Sequence, residues 1–494
     1  MQAPVKRQIR WCVVAAALAG LPAGAAVAQS TQEALLNRLE QELLDAQIEQ
    51  RLATHAGQTV FERMSLDYGA SLRLGIAGLQ NSIGSDSTLF QYEANVFANV
   101  VFDGGHRFFG NLRFLYNQYD VQRGSNDTGF LIPYGNRYWY EFDLKALQRA
   151  TEGTAGELGL NVRAGRQFLN WNSGLVFSND FYGVRLRADY EQLSLESMVG
   201  VTARSGFYDF DQGRTGYDSS TDRLLYGVRG AYDFGPGLEL FVSGFWQRDH
   251  NNGNLENVEL APGVVYLHDF TMNSSYLSFG GSGTIGTDLL WTTEIVRESG
   301  RSPSRMTFAE DLSILQGGTT IDAWAGVVNL AWTPSGVTTR PRIDATLALG
   351  SGDADRFTVS HSPTGNLFAT SDLNFQSLGY INTGLAAAPT ISNLIMLRVG
   401  GSTGIDIDAR RPDALRVGMD VFIYGKQKSN APLSIPSGNG QKFAGFEVDW
   451  KIDWRLASDV SFTARAGFFF PGPGVSGDAD FTRHFIYGGF TYAF

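Results

Sequence analysis

The chain has 494 residues and a net charge of −11, and charged residues make up only 18% of it. The acidic balance argues against nucleic acid as a partner, and a mean hydropathy of −0.13 argues against a bundle of membrane helices. Fifty-eight glycines and an aromatic share of 13% suit a chain of many strands and turns with aromatic girdles.

In chain order, residues 1–28 have the form of a secretory signal peptide. Lys6, Arg7 and Arg10 make a basic start, Trp11 to Leu21 is apolar, and Ala26-Val27-Ala28 is a small-residue cleavage site. The apolar stretch is too short to span a bilayer as a helix. Cleavage would remove Cys12, the only cysteine, so no disulfide or cysteine ligand is expected afterwards.

Residues 29–58 are expected to form a periplasmic helical segment. Over 31–55, Leu35, Leu36, Leu39, Leu43, Leu44, Ile48 and Leu52 make a stripe at helical spacing, with Gly57 as a stop. Such a stripe needs a partner. A coiled coil between copies in a homo-oligomer, a plug in or under a pore, and a periplasmic partner protein all fit it.

From residue 65 to 494 the pattern changes to strict alternation. Phe446-Glu447-Val448-Asp449-Trp450-Lys451-Ile452-Asp453-Trp454 is apolar on one side and ionic on the other. Lipid outside and water inside explain that better than a soluble sandwich. Eighteen such runs begin near Tyr68, Leu89, Arg107, Asn136, Glu157, Asp180, Gln192, Arg223, Leu238, Ser275, Asp288, Thr320, Arg340, Ile391, Asp413, Gln441, Ser458 and Arg483. Connections after even runs are mostly short, and those after odd runs mostly long and polar. This is the sorting of periplasmic turns from external loops. The expected fold is therefore an all-β transmembrane antiparallel barrel of about 18 strands in a bacterial outer membrane. The last run places Phe490, Tyr492 and Phe494 on one side, a terminal aromatic pattern that resembles the signal read by the machinery that assembles such barrels.

An inward assignment follows for the charged sides of the runs, because Arg or Lys facing lipid at mid-bilayer costs about 2–4 kcal/mol. Arg73, Arg113, Arg163, Arg185, Arg187, Arg229, Arg342, Arg398, Arg416, Lys451 and Arg465 then line the pore. Glu93, Glu141, Asp143, Asp189, Glu196, Asp288, Glu294, Asp344, Asp420, Glu447, Asp449 and Asp453 line it too. Arg163, Arg166, Arg185 and Arg187 come from neighbouring strands and form the expected cationic patch, able to hold a carboxylate by forked hydrogen bonds. Trp139, Trp171 and Phe241 are candidate faces for sugar stacking. Gly-Asp-Ala-Asp occurs at 352–355 and 477–480, so Asp353, Asp355, Asp478 and Asp480 are weak calcium candidates beside the simpler reading of solvated loops. The six histidines are scattered, so no enzyme, cofactor or metal centre is expected.

Val162-Arg163-Ala164-Gly165-Arg166-Gln167, Phe181-Tyr182-Gly183-Val184-Arg185-Leu186, the acidic loop 350–355 and Gly467-Phe468-Phe469-Phe470-Pro471-Gly472 resemble the alginate-export family of outer-membrane proteins. The resemblance covers residues from about 65 to the end. It implies an eighteen-stranded monomeric barrel that passes an anionic polysaccharide through an arginine-rich pore. Phe168-Leu169-Asn170-Trp171 departs from the family pattern, as does the leading helix. The sequence expectation is thus a passive channel for an anionic, carboxylate-bearing saccharide. A nutrient-uptake porin and a structural anchor or adhesin are the alternatives.

Overall fold

The computed structural model describes residues 59–494 except 60–62, 81–83, 85, 121–128, 204–208, 211–220, 236, 251–255, 262–263, 269–270, 309–313, 357–365, 367–369, 408–413, 438–439 and 476–479. The signal peptide and the helix expected over 31–55 lie outside the described residues.

Twenty strands and one helix are described. The first nine strands are β1 (Ser65–Gln80), β2 (Asp86–Val101), β3 (His106–Tyr119), β4 (Gly129–Asp143), β5 (Leu158–Asn170), β6 (Ser178–Tyr190), β7 (Leu193–Thr202), β8 (Arg223–Asp233) and β9 (Glu239–Asp249). A hairpin follows, made of β10 (Glu256–Ala261) and β11 (Val264–His268). The wall resumes with β12 (Asn273–Ile285), β13 (Leu289–Phe308), β14 (Ile314–Trp332), β15 (Arg342–Gly350) and β16 (Leu394–Ile405). It ends with β17 (Leu415–Lys426), β18 (Phe443–Arg455), β19 (Val460–Pro471) and β20 (Arg483–Ala493). Helix α1 (Leu144–Glu152) sits in the turn between β4 and β5.

Each wall strand pairs antiparallel with the next, β9 pairs with β12 across the β10–β11 hairpin, and β1 pairs with β20 from Ser71↔Ala493 to Leu79↔Phe485. The result is a closed antiparallel barrel of eighteen strands, with β10 and β11 outside the wall. Closure removes every free edge, the condition for strands to cross lipid. Among the described residues no helix is long and apolar enough to cross a membrane.

The alternation sets the two faces. Leu72, Leu74, Ile76, Val184, Leu277, Phe279, Ile343, Leu347, Ile423, Trp450 and Ile486 are exposed on the outside. Tyr68, Tyr190, Tyr232, Trp332 and Trp454 lie toward the short-turn end, and Trp324, Phe446 and Phe470 toward the other. These are the two aromatic belts of a membrane barrel. On the inner face sit charged residues, small residues and one continuous cluster of buried apolar side chains.

Helix α1 was not expected from the sequence. Asp143, assigned above to the pore, caps it by accepting from the Ala146 N–H at 2.9 Å, and Gly153 ends it at φ +80°. Asp288 is likewise corrected. It lies in the turn before β13, where its carboxylate accepts from the Thr287 hydroxyl at 2.7 Å.

Candidate functional site

The barrel interior divides into an ionic part and a packed part. The ionic part runs around the wall as pairs on the same or neighbouring strands. Arg113 meets Glu93 at 2.9 Å, Arg163 meets Glu141 at 2.5 Å, Arg185 meets Glu196 at 2.7 Å and Arg187 meets Asp189 at 3.0 Å. Arg229 pairs with Glu239. Further round, Arg342 meets Asp344 at 2.7 Å, and Arg398 and Lys451 share Asp420 at 2.9 and 2.6 Å. Arg465 meets Asp453 at 2.7 Å. Arg73 stands opposite Glu93 in register and donates to the Thr491 hydroxyl at 3.4 Å. Arg416 donates to the Ser402 hydroxyl at 3.1 Å and to the Arg340 carbonyl at 2.8 Å.

Arg163 and Arg185 are direct cross-strand neighbours, and Arg187 follows two positions along β6. The structure therefore brings three members of the expected patch together and gives each its own carboxylate. Arg166 is the exception. Its register neighbours are Tyr138 and Tyr182, on the face that carries the exposed Val184. Its guanidinium lies over the Tyr182 ring, 5.6 Å from the centroid. Arg166 is buried, at 2% exposure, and by register it lies in the row of Tyr138 and Tyr182 rather than in that of Arg163 and Arg185, so it does not join the patch.

The partners within these pairs are unequally placed. Side-chain exposure is 25% for Arg163 against 2% for Glu141, and 27% for Arg185 against 8% for Glu196. Arg187 and Asp189 stand at 45% and 33%. The acids lie against the wall and the guanidinium groups reach into the lumen. Arg342 over Asp344, and Arg398 and Lys451 over Asp420, lean the same way, whereas Arg229–Glu239 and Arg465–Asp453 lean the other way; β5 and β6 are where three such cations stand side by side. Trp139, on the same wall, carries the Arg163 guanidinium 4.2 Å and the Arg107 guanidinium 5.1 Å from its ring centroid. Its face is taken by cations rather than open to a sugar. Phe241 is covered in the same way by Arg229, at 4.8 Å.

The packed part comes from loops that fold inward. Between β5 and β6, Trp171, Leu175, Val176 and Phe177 are buried, and Phe177 stacks on Phe245 of β9 at 5.3 Å. Trp171 is therefore part of this packing and offers no sugar platform. The long connection between β15 and β16 crosses the same space. Phe177 bridges Leu378, and the Tyr380 N–H donates to the Gly174 carbonyl at 2.8 Å. The connection between β17 and β18 joins them through Asn393, whose side-chain amide donates to the carbonyls of Lys428, Ala431 and Pro432 at 3.1, 3.0 and 3.1 Å.

Buried glutamates on the wall fasten these loops. Glu294 accepts from Asn172 at 3.0 Å and from the Ser173 N–H at 3.1 Å. Glu298 accepts from the Gln376 N–H at 2.9 Å. Glu447 accepts from the N–H groups of Leu385 and Ala386 at 2.6 Å each and of Ala387 at 2.9 Å. Charge-assisted bonds to backbone N–H groups are about twice as strong as neutral ones, so a few such acids can hold a loop in a wet pore.

The acidic loop resolves in the same manner. Asp353 is buried and accepts from the Asp355 and Leu373 N–H groups at 2.9 Å each, which makes it a loop organiser. Asp355 and Asp480 are exposed, and Asp478 lies outside the described residues. Among the described residues no group of three or more His, Cys, Asp or Glu side chains is placed to hold a metal.

The sequence reading missed several interior residues, among them Arg483 and the apolar loop segments. The run Gly384-Leu385-Ala386-Ala387-Ala388-Pro389 was a visible signal, since so apolar a stretch is poorly suited to an open external loop.

A closed eighteen-strand barrel with an apolar, belted outside and an ionic interior is a multi-pass outer-membrane channel protein. The chain belongs to the alginate export family, which matches residues 229–488. Among solved structures it is similar to OccK1 (OpdK) of Pseudomonas aeruginosa, with a TM-score of 0.51, 9% identity, and coverage of 88% of this chain and 99% of that one. It is also similar to OccAB1 of Acinetobacter baumannii, with a TM-score of 0.52, 11% identity, and coverage of 89% and 98%. At these identities the likeness is one of fold. No curated protein matches the sequence.

Proposed function

We propose that this channel passes an anionic, carboxylate-bearing saccharide by passive diffusion. The supporting observation is the asymmetry on β5 and β6, where Arg163, Arg185 and Arg187 reach into the lumen over acids that are set deeper. A solute moving along that wall meets guanidinium donors first. Its carboxylates can exchange water for forked hydrogen bonds, while Glu141 and Glu196 pair with Arg163 and Arg185 in the empty pore. A substrate-specific uptake porin for smaller carboxylates is the second reading. The inward loops favour it, because they narrow the space that a polymer would thread.

The test is the reversal potential across a KCl gradient, for the wild type and for Arg185→Glu combined with Arg187→Glu. The wild type is expected to prefer chloride and the double variant to prefer potassium. A cation-preferring wild type, or a double variant with unchanged preference, removes the patch from the mechanism and leaves a general porin.

A further inference from the structure

At the top of β20, Arg483 points into the interior and is fully buried. Among the described residues none of its three guanidinium nitrogens has a hydrogen-bond acceptor. Its neighbours are rings, Phe469 and Phe481, whose centroids lie 5.9 and 5.8 Å from the guanidinium carbon. An unpaired buried charge is among the most expensive arrangements a fold can hold, and the rings offset only part of that cost. A carboxylate lies on the same inner row. Arg483 is opposite Phe469, and Phe469 is opposite Glu447, which places Glu447 two strand spacings away, roughly 10 Å between backbones. That is within the combined reach of the two side chains.

Glu447 is otherwise engaged. Both its oxygens are turned to the strap Gly384–Ala387, which supplies three N–H donors, and the Tyr424 hydroxyl adds a fourth at 3.1 Å. The strap is shaped for this. Gly384 has φ +104°, and its N–H is held by the Asn382 side chain at 3.1 Å, which turns the following N–H groups toward the wall. Tyr424 closes the arrangement, its single hydroxyl proton shared between Glu447 and the Thr383 carbonyl, which lies 2.8 Å away.

We propose that Gly384–Ala387 is a gate strap with two states. In the state described here Glu447 holds the strap and Arg483 has no acceptor among the described residues. In the other state Glu447 turns to Arg483, the strap is released and the passage widens. The exchange costs the strap bonds and gains a buried ion pair, so the two states can lie close in free energy. The inference rests on the channel class and is independent of the solute proposed above.

Single-channel recording in planar bilayers at fixed KCl tests it, with heat-dependent gel migration as the check that each variant is folded. Ala386→Pro removes one strap donor without touching the wall or the Glu447 carboxylate, and is expected to raise the open fraction roughly tenfold. Tyr424→Phe removes a hydroxyl that ties Glu447 to the strap side in the closed state alone, is expected to act in the same direction, and carries the test if Ala386→Pro does not fold. Arg483→Gln removes the alternative partner and is expected to lower the open fraction while leaving the closed level as it was. An unchanged open fraction in the strap or Tyr424 variant, or a raised one in Arg483→Gln, overturns the proposal. The readout is gating rather than ion preference, so a failure here and a failure of the proposed solute class are separately visible.

Discussion

Replacing Ser371–Thr390 with a short glycine-serine linker is expected to raise single-channel conductance on the order of tenfold, since an empty barrel of eighteen strands leaves an aqueous channel. That segment contributes Phe375, Leu378, Leu385, Ala386 and Ala387 to the packed part of the lumen, and it carries the partners of Glu298 and Glu447. The wall does not depend on it, because β15 and β16 pair directly from Arg342↔Ser402 to Leu349↔Ile395. The shortened protein should therefore still show heat-dependent gel migration. Conductance at the wild-type level would mean that ions travel by a path the segment does not cross.

Deleting Tyr492–Phe494 is expected to abolish assembled protein in the outer membrane, measured as loss of the folded gel band from membrane fractions. These residues close the barrel at its short-turn end. The Phe494 N–H donates to the Ala70 carbonyl at 2.9 Å, the Ala70 N–H donates to the Phe494 carbonyl at 2.7 Å, and the Ala493 N–H donates to the Asp459 carbonyl at 2.8 Å. Tyr492 pairs with Leu72 on one side and Val460 on the other. The aromatic rings of Tyr492 and Phe494 lie on the outer face, where lipid or an assembly partner meets them. Without these residues the seam opens at one end and exposes unpaired backbone groups, each costing several kcal/mol in lipid. Wild-type levels of folded band would show that the remaining seam, from Arg73↔Thr491 upward, is enough.

The wall was legible because lipid imposes one rule on every strand. Most strand starts were placed within three residues, and the two that were not are β4 and β14. Both begin earlier than expected, at Gly129 and Ile314. Their upper parts carry Gly129 and Gly135, or Gly317 and Gly318, and there the apolar-polar alternation fades. The interior was less legible. Facing inward satisfies a charge in many ways, and only the register shows that Arg163 takes Glu141 and Arg185 takes Glu196. Arg166 was grouped with the patch although Arg163 and Arg166 differ in parity, and the register pairs it with Tyr182 instead of Arg185. The inward loops were read as external because their length and polarity were weighed, while the apolar stretch 384–389 within one of them was not.

The hairpin of β13 and β14 is 20 and 19 residues long, while about 9–11 residues suffice to cross a bilayer. The surplus, tilted as barrel strands are, stands roughly 25 Å above the lipid. Its paired backbone makes it a stiff blade rather than a tether, and the exposed Arg297–Asp322 pair lies at its base, beside the Trp324 belt. An epitope tag carried on that blade would be reachable by antibody on intact cells, which makes the hairpin a natural display point and a direct reporter of which way the barrel faces.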